Sequence, residues 1–430
     1  MHVTAADGWR LPAGPVRRWT LRPAAVGEPV VLSVNQRNHL AGVVAGQPSV
    51  WLAADLPAGS VPGIEAPTDL LDGLLARHAA LRTAVAPGDG TGAVLHAPDG
   101  LVWVEDDVVR AGTSSDATSA VRDLLDRACH PLAPGPPVAA ALVGAGAAAR
   151  FVLAGDHLVL DAWSVALLAS ELGTPRALPA APAFPALAAR WAAEPALPPD
   201  DARLHAWLAF LDGLDQALPT FPLDLGTAPG ERFPQRTLVV PFLDAATVAA
   251  LDDLGRPEGA SAYAAVLLAL GRAVRAQRDE PAATALPLLV PVGTRRTEEE
   301  RATVGWCTTT VPLVVAATDD LRATGERLRA ALALGSVPLD QVLGSLPRPL
   351  RRTRADVFMV SWIDYRRLPT VPAGTNHVSN VTEADDVQLW LSRTDAGVAV
   401  RARIPDHPPA VAVVTALLER WVAEVALLLR

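Results

Sequence analysis

The stretch GDHLVLDAWS, residues 155–164, is the most informative part of the sequence, because it places a histidine and two aspartates between a strand pattern and a helix pattern. It follows an apolar run that predicts a strand, and it precedes residues 165–172, an apolar run that predicts a helix. Loops between strands and helices often carry reactive side chains, and the His157 imidazole can accept a proton near neutral pH. Asp161, four residues on, can orient the loop or cap the helix together with Ser164. On this spacing alone, a structural histidine is the simpler interpretation.

The segments around this stretch alternate between strand and helix patterns. Residues 138–143 and 151–153 predict two strands joined by a glycine-containing turn. Residues 30–34 predict a strand or an extended entry that ends in polar residues, residues 69–82 an amphipathic helix, and residues 93–104 a hairpin. Similar patterns continue to the C-terminus, so the sequence predicts an α/β or α+β protein.

Length and composition limit the possible classes of protein. The chain has 430 residues, well above the usual domain size of roughly 100–150, and 50% are hydrophobic. Disordered and fibrous classes are therefore excluded. The net charge of -9 argues against a broad basic face for nucleic acid. A segment rich in Pro and Ala, residues 173–201, predicts a linker, so we expect one lobe at 1–178 and a second at 179–430.

Cysteine usage and hydropathy exclude further classes. Cys129 and Cys307 are far apart, and neither has a cysteine or histidine at metal-ligand spacing, so we expect neither a disulfide scaffold nor a metal site. The first residues lack the pattern of a signal peptide, and no window holds about 18 uninterrupted apolar residues. We therefore expect a cytoplasmic protein without membrane association.

The central stretch resembles the defining motif of condensation domains of nonribosomal peptide synthesis. That motif is His-His-x-x-x-Asp-Gly, often continued by Trp-Ser. Residues 156–164 match it at His157, Asp161, Trp163 and Ser164.

Other segments resemble the same family in the same order. Residues 32–36 (LSVNQ) are similar to its opening segment, and residues 77–83 (RHAALRT) to its Arg-His-Glu-Ala-Leu-Arg-Thr. Residues 291–295 (PVGTR) resemble a segment that ends in Gly-Arg, and residues 304–313 (VGWCTTTVPL) resemble Gly-x-Phe-x-Asn-Thr-x-Pro-Leu. Residues 337–340 (VPLD) echo Pro-Phe-Glu. The shared order makes the chain similar to a free-standing condensation domain of the wider chloramphenicol acetyltransferase-like superfamily.

The resemblance implies two acetyltransferase-like lobes that form a V-shaped pseudo-dimer with a central substrate tunnel. The first lobe would carry the histidine motif, and His157 would act at the midpoint of the tunnel as a general base or by orienting the nucleophile. Asp161 would be structural and paired with an arginine. Arg295 is the first candidate for that arginine, and Arg296 is the next.

The resemblance also implies which side chains line the tunnel, and it highlights three departures from the family pattern. The expected tunnel residues are Trp163, Ser164, Thr309, Ser361 and Asp364.

Among the departures, Asp156 replaces the first histidine of the motif, where a carboxylate close to His157 would raise the pKa of the imidazole. Ala162 replaces the glycine, and its methyl group would narrow the acceptor side or shift the loop. Thr309 replaces an asparagine, so an amide that could bind substrate is lost. Asp156 and Ala162 are expected to support the motif structurally, together with Asp161 and Arg295.

The resemblance implies an enzyme that forms an amide or ester bond in secondary-metabolite biosynthesis. The donor would be an acyl or aminoacyl thioester on the phosphopantetheine arm of an acyl or peptidyl carrier protein supplied in trans, and the acceptor a small amine or alcohol. No cofactor would be bound directly. Two alternatives stay open: an acyltransferase that uses coenzyme A, and a catalytically silent module that docks carrier or tailoring proteins.

Overall fold

The computed structural model describes residues 1–5, 7–88, 90–174, 178–278, 285–380 and 382–430. Its strands are, in chain order, β1 (His2–Ala5), β2 (Gly14–Pro23), β3 (Glu28–Val30), β4 (Trp51–Pro57), β5 (Thr83–Val85), β6 (Ala93–Leu95), β7 (Leu101–Ala111), β8 (Val138–Val143), β9 (Arg150–Asp156), β10 (Phe233–Asp244), β11 (Ala285–Gly293), β12 (Thr308–Ala316), β13 (Met359–Asp364), β14 (Asn376–Ser379), β15 (Glu383–Ala384), β16 (Gln388–Thr394) and β17 (Gly397–Pro405). Its α-helices are α1 (Val34–Val44), α2 (Pro67–Arg77), α3 (Ser114–Ala128), α4 (Ala162–Leu172), α5 (Phe184–Ala192), α6 (Ala202–Asp212), α7 (Ala245–Gly255), α8 (Ala262–Arg278), α9 (Leu321–Ala333), α10 (Leu339–Gly344) and α11 (Pro408–Leu428). The mixed α/β class predicted from the sequence is confirmed.

The chain divides into two compact units, each assembled from separate stretches of sequence. The first unit contains Met1–Glu194, Thr294–Thr308 and Leu368–Thr382. The second contains Pro195–Gly293, Thr309–Arg367 and Glu383–Arg430. The two lobes expected at 1–178 and 179–430 differ from these units in their boundaries, because two later segments belong to the first unit.

The expected linker at residues 173–201 contains an ordered helix. Helix α5 buries Phe184 and Leu187 in the core of the first unit, which is why that unit continues to Glu194. Residues 175–177 of the expected linker lie outside the described residues.

The first unit is built on a seven-stranded sheet in the order β1-β14-β4-β9-β8-β2-β7. Strands β8 and β9 pair antiparallel, from Val138 opposite Gly155 to Val143 opposite Arg150, so the predicted pair of strands is confirmed. Both strands are almost completely buried, as expected for central strands with apolar residues on both faces. This places the end of β9, and with it the motif, at the centre of the sheet.

Two local predictions in the first unit differ from the structure, one at a single residue and one in its strand pairing, because side chains or distant strands determine the structure. The strand or extended entry expected at residues 30–34 is present up to Ser33, since β3 ends at Val30 and Ser33 is extended, but Ser33 and Gln36 form a capping box that begins α1 at Val34. The expected hairpin at residues 93–104 does not form, because β6 pairs with β3 and β5 whereas β7 pairs with β2.

The amphipathic helix predicted at residues 69–82 is present but shorter. Helix α2 ends at Arg77, and residues 79–82 continue as a 3-10 turn. His78 at the junction is buried, and its Nε2 lies 2.7 Å from Glu171 Oε2, so this histidine belongs to the core.

The second unit has its own seven-stranded sheet, in the order β12-β11-β13-β16-β17-β10-β15. Helix α8 is buried from Ala262 to Val274 except at Arg272, which fits the apolar sequence of this part of the helix. The indole nitrogen of Trp421 on α11 donates a hydrogen bond of 2.7 Å to the carbonyl of Val266 on α8. No helix among the described residues is long and apolar enough to cross a lipid bilayer.

Candidate active site

The motif forms a tight turn between β9 and α4 in the first unit. Asp156 is the last residue of β9, and Asp161 is the N-cap of α4, accepting a hydrogen bond of 2.8 Å from the Ser164 amide. Leu158, Val159 and Leu160 between them are buried, so the turn is anchored in the core. The backbone amide of His157 donates a 2.7 Å hydrogen bond to the carbonyl of Val50. His157 is therefore held on a rigid loop at the end of a central strand.

The Asp161 carboxylate is the centre of a buried hydrogen-bond network. Arg295 binds it with two nitrogens, Nη1 at 2.8 Å from Oδ2 and Nη2 at 3.0 Å from Oδ1. The Ser164 hydroxyl donates to Oδ1 at 2.8 Å, and the Cys307 amide donates to Oδ2 at 3.0 Å. Such a two-pronged arginine–carboxylate pair fixes both position and orientation.

The network also fixes the charge of Asp161. Burial opposes ionisation of this carboxyl, but the Arg295 charge and the hydrogen bonds from Arg295 and Ser164 hold its pKa below the ordinary value. Asp161 is thus a structural carboxylate that joins the turn to the segment around residues 295–307. Arg296, the second candidate partner, instead lies 3.4 Å from Glu194 and is half exposed.

The imidazole of His157 lies against the indole of Trp306. The ring centroids are 3.8 Å apart and the ring planes are inclined by 24°, which is a stacked arrangement. Nδ1 of His157 is buried and has no hydrogen-bond partner among the described residues, whereas the side chain as a whole is partly exposed. Trp306 therefore covers one face of the His157 imidazole, and Nδ1 of that ring is not accessible to solvent.

The surroundings of His157 favour the neutral imidazole. Burial and the nearby His39 lower its pKa, and together they outweigh the opposite effects of Asp156 and Asp161. Asp156 does act to raise the pKa of His157, as expected of a nearby carboxylate, but burial is the largest influence and the net shift is downward. A neutral imidazole at neutral pH can accept a proton, which is the property that a general base needs.

The carboxylate of Asp156 contacts a histidine that lies outside the motif. Its Oδ1 accepts a 2.7 Å hydrogen bond from the Leu158 amide and lies 2.7 Å from Nε2 of His39 on helix α1. Helix α1 makes a second contact with the turn, in which Gln36 Nε2 donates a hydrogen bond of 2.8 Å to the Leu158 carbonyl. His39 and Trp306 are the site residues that sequence reasoning missed.

Ala162 and Trp163 form the first turn of α4 and are both partly buried. The indole nitrogen of Trp163 donates a hydrogen bond of 2.8 Å to the carbonyl of Arg301, and the Arg295 guanidinium lies 5.8 Å from the Trp163 ring centroid. Trp163 thus supports the same segment that supplies Arg295. Its expected role in a tunnel, like that of Ser164, stays a prediction.

The remaining expected site residues belong to the second unit. Thr309 lies near the start of β12 and is partly buried. Ser361 is buried in β13, and Asp364 at the end of that strand lies 2.7 Å from Arg366, whose hydrogen bond holds the pKa of the carboxyl below its ordinary value. Their contact with substrate stays a prediction. Among the described residues, no group of His, Cys, Asp and Glu side chains could hold a metal ion.

Comparison with known proteins identifies the fold. No family profile matches the chain. Acyltransferase PapA3 of Mycobacterium tuberculosis is 27% identical over 219 residues, which is 48% of this chain and 45% of that protein. The chain thus matches about half the length of this curated relative.

Solved structures match along nearly the whole chain. The structure described as PapA2 acyl transferase superposes with a TM-score of 0.84, at 22% identity over 100% of both chains. The condensation domain of the Monacolin K polyketide synthase MokA superposes with a TM-score of 0.64, at 16% identity over 93% of this chain and 97% of that domain. The chain therefore has the condensation-type fold that its sequence pattern predicted.

Proposed function

We propose that this chain, with its condensation-type fold, is an acyltransferase that joins an acyl or aminoacyl thioester to an amine or hydroxyl acceptor. The observation that carries the proposal is the partly exposed imidazole of His157, held on a turn that Asp161 and Arg295 fix in place. Burial and His39 lower the pKa of His157, which favours the neutral ring that a base needs. The name of the relative PapA3, an acyltransferase, supports the same class of reaction.

The proposed reaction needs one base and one positioned nucleophile. Since Nδ1 of His157 is buried, the proton of the acceptor passes to Nε2 as its nitrogen or oxygen attacks the thioester carbonyl carbon. The new C–N or C–O bond forms, the C–S bond breaks, and the departing thiolate takes the proton from His157. Holding the acceptor and donor in this geometry lowers the barrier further, because the reacting atoms are already aligned.

The donor in this proposal is a thioester on the phosphopantetheine arm of a separate carrier protein. A thioester already carries its activation, so the proposed reaction requires no directly bound metal or nucleotide. The acceptor is a small amine or alcohol, and the product belongs to secondary metabolism. Coenzyme A thioesters are the competing donor, because they present the same arm and the same acyl carbon.

The test is intact-protein mass spectrometry of an acyl-loaded carrier protein encoded near this gene. The loaded carrier is incubated with a panel of amines and alcohols and with the native chain, His157→Ala or His205→Ala. His205 is exposed on α6 and makes the matched control. We expect loss of the acyl mass and a new amide or ester with the native chain and the control, and at least a 100-fold lower rate with His157→Ala.

The same assay separates the alternatives. A parallel series with the acyl group on coenzyme A identifies the donor, and faster product formation from coenzyme A than from the carrier would replace the carrier in the proposal. A native chain that binds the loaded carrier but leaves its thioester intact against every acceptor would contradict the enzyme and indicate the silent docking module.

A further inference from the structure

A second histidine lies beside the candidate base, contributed by a helix distant in sequence. His39 on α1 places Nε2 2.7 Å from Asp156 Oδ1, and its ring meets the Trp306 indole edge-on, with centroids 5.8 Å apart and planes at 73°. Trp306 thus packs against both histidines, T-shaped with His39 and stacked with His157. The two histidines, the indole and Asp156 form one cluster within the first unit.

Asp156 is a fully buried carboxylate with an incomplete set of partners. Its Oδ1 is shared by the Leu158 amide and His39, and its Oδ2 is buried without a hydrogen-bond partner among the described residues. A buried carboxylate without a counter-charge either takes up a proton or attracts one onto a neighbouring base. His39 is the side chain in hydrogen-bond contact that can balance this charge.

The other ionisable groups around His157 do not provide a positive charge for the Asp156 carboxylate. Asp161 at the start of α4 is already neutralised by Arg295. Cys129 at the end of α3 and Cys307 are buried thiols whose pKa values are raised by burial, so both stay uncharged at neutral pH. His39 from α1, Asp156 from β9 and the Arg295-paired Asp161 from the start of α4 are the charged or chargeable groups that act on His157, and of the two carboxylates Asp156 has no arginine partner in the described part of the chain.

We propose that the proton that balances the buried Asp156 carboxylate is held on His39, and that His39 is thereby a positioning residue for the proposed acyl transfer. The 2.7 Å contact between His39 and Asp156 holds the turn before His157 and keeps the Asp156 charge from being balanced by a proton on His157. The inference rests on the proposed function of His157 as a base. Without the His39 cation, Asp156 would stabilise the imidazolium form of His157, and the base would be occupied by a proton up to a higher pH.

The test is a pH titration of the histidines by NMR on protein labelled at histidine Cε1, which needs no substrate. The chain has nine histidines, and the His157 signal is assigned by its loss in His157→Ala. His39→Gln keeps an N–H group that can reach Asp156 but removes the charge. His205→Gln, an exposed change on α6, is the matched control.

We expect the titration midpoint of His157 to move to higher pH in His39→Gln and to stay in place in His205→Gln. Adding Asp156→Asn to His39→Gln removes the uncompensated charge and should bring the midpoint back down. An unchanged or lower midpoint in His39→Gln would overturn the proposal, as would a double variant that titrates like His39→Gln alone.

Kinetics provide the second measurement. If the chain transfers acyl groups, the acidic limb of its kcat/KM profile should move to higher pH in His39→Gln, in parallel with the NMR midpoint. A merely structural role for His39 would instead lower the rate by the same factor at every pH, and that result would contradict the proposal. A chain without acyltransferase activity would refute the proposed function while the NMR result still tests the charge balance.

Discussion

Trp306 covers one face of the His157 imidazole, with ring centroids 3.8 Å apart and planes only 24° from parallel. A stacked aromatic pair of this kind restricts the rotation of both rings. His157 is thereby fixed in one orientation, with its sealed nitrogen inward and the remaining edge of the ring available.

We expect Trp306→Ala to lower kcat/KM roughly 10- to 100-fold, because a freely rotating imidazole loses the alignment on which proton transfer depends. Trp306→Phe retains an aromatic face and should keep most of the activity. Steady-state kinetics on both variants, with circular dichroism to verify folding, make the comparison. Full activity in a folded Trp306→Ala protein would show that the stacking does not position His157.

The activity of the native chain should persist to a lower pH than an ordinary histidine base would allow. Burial and the neighbouring His39 lower the pKa of His157, so the imidazole stays unprotonated below about 6.5, the usual value for histidine. The acidic limb of a plot of kcat/KM against pH measures this directly. An acidic limb with its midpoint above this ordinary histidine value would mean that the nearby carboxylates raise the pKa of His157 more than burial lowers it.

Breaking the pair between Asp161 and Arg295 should strongly destabilise the fold. Asp161→Ala leaves the Arg295 guanidinium buried without its counter-charge, and we expect the free energy of unfolding to fall by about 3–5 kcal/mol. Urea denaturation followed by fluorescence measures the loss. Arg301→Ala, which removes an exposed ion pair with Glu298, is the control and should cost about 1 kcal/mol or less.

The Asp161 contribution should depend on pH in a defined direction. Its pKa is lowered in the folded protein, so its stabilisation is present above the unfolded value of about 3.9 and is lost as the pH falls through the folded value. The stability gap between native protein and Asp161→Asn should therefore narrow below about pH 4. A gap that stayed constant through this range would mean that the charge of Asp161 contributes nothing.

Asp386 should produce the opposite pH dependence in the second unit. Burial raises its pKa to about 7, while its Oδ1 accepts hydrogen bonds from the Phe221 amide at 3.1 Å and the Val387 amide at 2.8 Å. A raised folded pKa means that stability is fully present below the unfolded value of about 3.9 and declines as the pH rises to 7. Between pH 5 and pH 8 the melting temperature should therefore fall less in Asp386→Asn than in the native protein. The variant keeps the Oδ1 acceptor but has no carboxyl group that ionises.

Gly305 should tolerate no side chain. Its φ of 155° lies in a region that glycine favours, and an added Cβ would sit 2.3 Å from the Phe184 ring. We expect Gly305→Ala to cost about 2 kcal/mol or more. Gly293→Ala, where an added Cβ meets no atom within 4 Å, is the control for the same substitution. Equal urea midpoints for the two variants would contradict the expected clash.

The sequence predicted those parts of the site whose residues lie close together in the chain. Ser164 follows Asp161 by three residues, so their spacing alone suggests a helix cap. Arg295 is distant, and only the resemblance to a known motif suggested it. His39 lies 117 residues from Asp156, and neither its helix nor its neighbours carry a pattern that indicates the contact.

The errors in the fold have a similar cause. Residues 93–104 have the local pattern of a hairpin, yet β6 and β7 find partners in different sheets. Pairing between strands depends on the three-dimensional arrangement of the chain, whereas a sequence window records only local preference. The helix start at Val34, by contrast, has a local signal, because Ser33 and Gln36 have the spacing of a capping box.

The first unit cannot be produced as an N-terminal fragment. A polypeptide that stopped at Glu194 would contain His157 and Asp161 but lack Arg295 and Trp306, and it would also lack β14, which pairs between β1 and β4. Its central sheet would be interrupted, and a buried carboxylate would have lost its partner. Engineering by exchange of halves at this boundary should therefore fail, and recombination with relatives needs to carry residues 294–308 and 368–382 along with the first 194.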